Sequence, residues 1–315
     1  MDSAVLMYHF IKGNESGTFS KLKGISVDQF HEQLKFLLKK YKIISHRDIL
    51  RAVEIGKFPD NSFYLTFDDG TKDHINKVLP VLKEYGLTAS FFPVPQPLIE
   101  KNIPVIEKQR FLQYIGFDHY ANFLEVFCRI ASEELPKKIR NSIIYSEKNI
   151  KDARNYLYHH HFYSDEERFY RKIRNELIHP DVFKQIIDQM FENFYPDETD
   201  FINEFYMSFE DLKLLKSEGM TIGAHTYSHC ILSQLDNHDA KNEILTSIKI
   251  LEEKLCTIIT SFAYPNGIST PFSELILSES RVKYAFEVEN QFVNSNFSMF
   301  RIPRIDCASF DQIFY

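Results

Sequence analysis

The sequence predicts an α/β protein, an α/β barrel or a doubly wound sheet carrying one large helical insertion, and three observations lead to it. Short apolar runs of strand length alternate with amphipathic stretches at helical spacing, the pattern of a parallel sheet built from βα units. The alternation stops after Val94 and resumes after Tyr206, and a gap that long inside a compact domain implies a folded insertion rather than a bare loop. Three clusters of acidic, imidazole or turn-forming residues each follow a predicted strand, where parallel α/β folds carry their reactive groups.

The first run, AVLMYHF at residues 4–10, reads as a strand. SVDQFHEQLKFLLKKY follows as a helix: Ser26 and Gln29 make a capping-box pattern, and Phe30, Leu34, Leu37 and Leu38 recur at helical spacing. KIIS is a short strand, HRDILRAVEIGK a helix and SFYLTF (62–67) a strand. HINKVLPVLKEYG is a helix closed by Gly86, and TASFFPV (88–94) is the next strand. Residues 96–206 are helical, aromatic and charged, without a convincing strand. The alternation returns with SFEDLKLLKSEG, a helix capped by Ser208 and ended by Gly219, and then MTIGAH (220–225) as a strand. A long helix spans 237–255, IITSFAYPNG is a strand and turn, PFSELILSES a helix, YAFEVE a strand and FRIPRID a terminal strand. The chain therefore reads as one domain, 1–315, with the helical segment 96–206 inserted in it.

Bulk properties narrow the function classes. The 315 residues are 44% apolar and 26% charged, a soluble globular composition with ample core. A net charge of −7 supplies no basic field for nucleic acid or an anionic membrane surface. The four cysteines form no CxxC pair and read as reduced thiols more than as a disulfide framework. The N-terminal apolar run is too short for a signal peptide or a membrane span, so a cytoplasmic location is expected.

The chemistry lies in the clusters. In TFDDG, Asp68 and Asp69 stand side by side before Gly70. Adjacent strand side chains point to opposite faces, so both can serve one site only if the chain turns sharply there, which Gly70 permits. A cation would relieve the repulsion, leaving one carboxylate as ligand and the other free to accept a proton; the alternative is a turn that caps the next helix. In GAHTYSHC, His225 and His229 stand four apart at a strand exit, a spacing that suits two nitrogen ligands to a transition metal but also occurs at ordinary surfaces and in cores. With Asp69 they make a three-ligand set leaving open positions for water and substrate. In SFAYPNG, Pro265 and Gly267 shape a rigid turn that could wall a groove, with Tyr264 offering a ring or a hydroxyl; a plain strand-ending turn is the alternative. His159, His160 and His161 lie within the insertion and read as a solvated helix face, since consecutive positions point different ways.

Together TFDDG, HTYSH and FAYPNG, in that order along the chain, resemble the three motifs of the polysaccharide deacetylase family, the NodB-homology or carbohydrate esterase family 4 enzymes. The likeness covers about residues 1–95 and 207–306, and VLMYHFI is similar to the strand before the first motif in the poly-N-acetylglucosamine deacetylase branch. The resemblance implies the NodB type of distorted barrel, with Asp68 as general base. It makes Asp69, His225 and His229 ligands of a divalent metal, usually Zn²⁺. Thr226 and Ser228 would orient the ligand loop, and Tyr264, Pro265 and Asn266 would border the substrate.

Two departures follow from the same comparison. Many members carry an arginine where Ala263 stands, so Arg304 in FRIPRID is the candidate to pair with Asp68; a salt bridge at a strand end is the alternative. No Leu-x-His motif follows the third cluster; His9 is the candidate general acid, because its strand should end on the same barrel face and the related branch carries a histidine there, and a hydrogen-bonded strand histidine is the alternative. The expected activity is metal-dependent removal of an N-acetyl group from a sugar, an intracellular step in making a surface polysaccharide. Hydrolysis of a non-sugar C–N bond, such as a cyclic imide or formamide, and a degenerate sugar-binding barrel are the alternatives. The insertion, following the fourth strand, is expected to cover the site or to mediate homo-oligomerisation.

Overall fold

The computed structural model describes residues 3–13, 18–157, 163–195, 197–294 and 297–315, and the histidine run 159–161 lies outside them. Among the described residues, ten strands run in chain order: β1 Ala4–Tyr8, β2 Ile11–Lys12, β3 Ile25–Ser26, β4 Lys42–Ile43, β5 Ser62–Asp69, β6 Ser90–Pro93, β7 Thr221–Ile222, β8 Ser261–Ala263, β9 Tyr284–Val288 and β10 Ile302–Asp306. The main sheet has the order β7-β6-β5-β1-β10-β9-β8, every neighbouring pair parallel, with β4 beside the start of β5. The sheet curls until its outer strands meet: Ala224 N–H donates to Ser261 O at 3.0 Å and Ala263 N–H to Ala224 O at 2.9 Å. The result is a nearly closed parallel barrel.

Two faces of each strand separate cleanly, as period-two geometry requires. Leu6, Phe63, Leu65, Phe67, Phe91, Phe262 and Ala285 pack outward with the helix residues Phe30, Leu34, Leu212, Ile248 and Leu277. Val5, Tyr64, Phe92, Ala263, Tyr284, Phe286 and Ile302 form a second cluster on the inner face. Gly223 sits where a Cβ would lie 2.2 Å from Phe92 Cε1 and 2.6 Å from Ser261 Oγ; the interior has no room there for any side chain.

The chain divides into two compact units, Met1–Pro104 with Glu198–Tyr315, and Val105–Asp197. The second unit is built from helices such as Tyr120–Glu134, Asp165–Lys172 and Pro180–Glu192 around Phe123, Phe127, Tyr170, Ile186 and Phe191. The segment 96–206 marked in the sequence therefore contributes its two ends, 96–104 and 198–206, to the barrel unit.

The Ser26 and Ser208 caps form as capping boxes, and Gly86 ends its helix in the left-handed region. One predicted helix differs. HINKVLPVLKEY begins as a π turn over His74–Val78 before becoming α over Leu79–Tyr85. Pro80 has no N–H to give, and its ring crowds the carbonyl four residues back, so the first turn widens.

Candidate active site

β5 carries Tyr64, Thr66 and Asp68 on one face and Phe63, Leu65 and Phe67 on the other. Asp69 should therefore point outward. Instead its backbone takes φ 71°, followed by Gly70 at φ 74°; this left-handed step, costly for a residue with a Cβ, breaks the alternation just after Asp68. Gly70 is required twice, since a Cβ there would also lie 2.8 Å from Pro93 Cβ.

Arg304, on β10, is fully buried and grips Asp68 with both arms of its guanidinium. Nη1 donates to Oδ1 at 2.8 Å and Nη2 to Oδ2 at 2.7 Å. Nη1 also donates to Thr66 Oγ1 at 3.2 Å, and Nε to Glu287 O at 3.4 Å. Burial pushes the Asp68 carboxyl up, but the Arg304 charge, aided by His225, the Arg304 hydrogen bonds and His9, holds it below the usual carboxylate range. Asp68 is a buried carboxylate kept ionised by a bidentate partner.

β7 and the residues after it bring in the imidazoles. His225 follows the Ala224 bridge that closes the barrel, and its Nδ1–H donates to Ala263 O at 2.7 Å. In the neutral ring that bond leaves the lone pair on Nε2. Nε2 is buried without a hydrogen-bond partner, 3.7 Å from Asp69 Oδ1 and 4.0 Å from Asp68 Oδ2. His229 Nε2 lies 3.2 Å from the same Asp69 oxygen. Asp69, His225 and His229 each offer one ligand atom within 4.8 Å of the others, all three residues buried. A buried imidazole nitrogen without a donor, facing a carboxylate and a second imidazole, is a donor set that fits a zinc-like cation.

The other predicted residues fall in different places. His9, half-buried just beyond β1, lies close enough to Asp68 for its charge to favour the carboxylate. Its carbonyl accepts from His74 Nε2 at 2.9 Å, and Ile11 N–H donates to Asp73 Oδ2 at 2.7 Å. Asp73 and His74, both buried, thus tie the β1 exit to the turn that follows Asp69. Thr226 is buried in the left-handed region, and Ser228 Oγ donates to Glu243 Oε1 at 2.8 Å. Tyr264 does not border a groove. It is fully buried and packs edge-on against Phe262 within the outward core, because Ala263 already occupies the inward position on β8. Pro265 is also buried, and Asn266 alone of the three is exposed. Glu243, on the helix Asn237–Leu255, was not singled out from the sequence. It is one charge in a charged helix, and only its three contacts to the loop 227–228 distinguish it.

A family model described as polysaccharide deacetylase matches residues 55–126 and 184–285, more than half of the chain. The chain belongs to the polysaccharide deacetylase family. Its relatives include a poly-beta-1,6-N-acetyl-D-glucosamine N-deacetylase of Staphylococcus aureus, 29% identical over 97 residues, 30% of this chain and 32% of that protein. The match thus spans about a third of the length of the curated relatives. Among solved structures, the Streptococcus pyogenes deacetylase PplD in complex with acetate aligns with a TM-score of 0.59 at 15% identity, covering 100% of this chain and 99% of that one. IcaB from Ammonifex degensii aligns at 0.57 and 17% identity, covering 99% and 95%. At these identities the likeness is one of fold, a barrel of the same type as in those two structures. Among the described residues no helix is long and apolar enough to cross a membrane.

Proposed function

We propose that this family member is a metal-dependent N-deacetylase acting on an N-acetylated glucosamine-type sugar. The observation that carries the reading is an ionised, bidentately held Asp68 beside the buried Asp69–His225–His229 cluster. The staphylococcal relatives, named as poly-beta-1,6-N-acetyl-D-glucosamine N-deacetylases, support the substrate class.

A divalent cation, zinc by the donor set, would supply Lewis acidity toward an amide carbonyl and make a water acidic enough to react near neutral pH. Asp69, His225 and His229 would hold it, with His225 fixed in the correct tautomer by Ala263 O. Asp68 takes the proton of the attacking water as its oxygen adds to the acetyl carbon. Arg304 keeps Asp68 charged and aimed, so no reorganisation is needed when the proton moves. The C–N bond then breaks, and His9 gives a proton to the departing amine. Acetate and a free amino sugar are the products. Asp73 and His74 hold the β1 exit on which His9 is carried.

The test is acetate release from N-acetylglucosamine oligomers and a panel of other N-acetylated sugars. Turnover is expected with zinc-loaded protein, lost on chelation and restored by added zinc. Zinc-loaded, folded protein that releases no acetate from any N-acetyl sugar would overturn the reading.

A further inference from the structure

The loop between the two imidazole ligands is backbone-strained at both ends: Thr226 has φ 59° and His229 φ 58°. Neither residue is glycine, so the surroundings must over-determine that conformation. The contacts that do so converge on one carboxylate. Glu243 Oε2 accepts from Tyr227 N–H and Ser228 N–H, each at 2.9 Å, while Oε1 accepts from Ser228 Oγ at 2.8 Å. A single ionised side chain thus holds both residues lying between the left-handed pair. Hydrogen bonds to a charged acceptor are roughly twice as strong as neutral ones. Glu243 is presented from a nineteen-residue helix, Asn237–Leu255, whose other face packs Ile244, Ile248 and Leu251 against the barrel core, so its own position is rigid. The neighbouring Tyr227 carbonyl is held from the other side by Gln96 N–H at 3.1 Å.

We propose that Glu243 is a positioning residue of the cation site, clamping the His225–His229 loop so that the ligands stand in their binding arrangement before a cation arrives. The inference rests on the metal reading above. A loop released from this clamp loses its left-handed residues first, and the His229 ring then leaves the position that faces Asp69. Glu243 touches neither cation nor substrate; its effect is on affinity for the cation, through the shape of the loop.

The experiment measures Zn²⁺ dissociation constants by competition with a chromophoric chelator. It compares the wild-type chain, Glu243→Ala, Glu243→Gln, the exposed same-helix control Lys241→Ala, and a His225→Ala/His229→Ala double variant. Removal of supporting groups of this kind weakens metal binding by about 10–100-fold, and that loss is expected for Glu243→Ala. Glu243→Gln keeps the side-chain length and one acceptor oxygen and is expected to lose less, which is partial rescue by shape. Lys241→Ala is expected to match wild type. Amide hydrogen exchange at Tyr227 and Ser228 in the zinc-free protein, wild type against Glu243→Gln, is expected to show protection falling at those two amides while the barrel strands keep theirs. If wild type binds zinc no better than the double histidine variant, the metal reading itself fails. If wild type binds zinc and both Glu243 variants bind within twofold of it, the clamp is overturned. Should Glu243→Ala not fold, the affinity and exchange of Glu243→Gln decide the matter alone.

Discussion

The two ends of the barrel interior both bury polar side chains, and they satisfy them in opposite ways. At the end where the strands begin, Tyr64 Oη and Ser90 Oγ share a 2.6 Å hydrogen bond, and His46 bridges Tyr284 Oη at 2.5 Å and Thr260 Oγ1 at 3.1 Å. Every group there is neutral or becomes so, since burial pushes the His46 imidazole down to about 4. At the end where the strands finish, Asp68 and Arg304 are buried as an ion pair, left-handed backbone occurs at Asp69, Thr226 and His229, and His225 Nε2 has no hydrogen-bond partner. One end pairs neutral hydroxyls and an imidazole with one another. The other keeps charge, strain and an open lone pair, costs that persist where the site uses them.

The comparison is broken most severely by Asp68→Asn. The amide cannot accept the proton, so acetate release should fall by about 10²–10⁴-fold, measured with zinc content by elemental analysis, which should stay near wild type. A variant that deacetylates normally would remove Asp68 from the chemistry. Arg304→Met comes next. It leaves Asp68 buried without its partner, at a cost of about 3–5 kcal/mol, readable as a shift in denaturant midpoint. A near-neutral result would mean that the pair is wetter than its geometry implies.

The strand-start end predicts a pH effect of fixed sign. His46 is held below its unfolded value of 6.5, so between about 4 and 6.5 the unfolded chain binds more protons than the folded one. Stability from this group is complete above pH 6.5 and is lost as pH falls toward 4. The loss in metal-free protein should be no more than about 3 kcal/mol, and urea titrations of His46→Gln should lack that component. The mildest change is Tyr64→Phe. It removes the neutral hydrogen bond to Ser90 and should cost about 1 kcal/mol while leaving acetate release unchanged, which would separate the two ends.

Much of this was legible locally. Strands, helix caps and the return of alternation after residue 206 come from period, capping chemistry and glycine, all of which act within a few residues. The association of TFDDG with HTYSH was legible too, because clusters that follow parallel strands share one end of the sheet. Tyr264 was misplaced for a physical reason: β8 is only three residues long, too short for its alternation to show which way the next ring turns. The π turn at His74 was hidden inside an ordinary amphipathic pattern.

By itself the sequence determined the order of elements, the family and the residue types available for chemistry, since these depend on local periodicity and motif spacing. The tertiary structure decided how those groups meet. Arg304 reaches Asp68 across 236 positions because β10 and β5 flank β1. Asp69 breaks the strand's alternation through a left-handed step, and Glu243 finds the His225–His229 loop from a helix that the sequence marks only as long. Contacts of that range are set by strand order and by close packing around a closed barrel, and neither is encoded in any short stretch of chain.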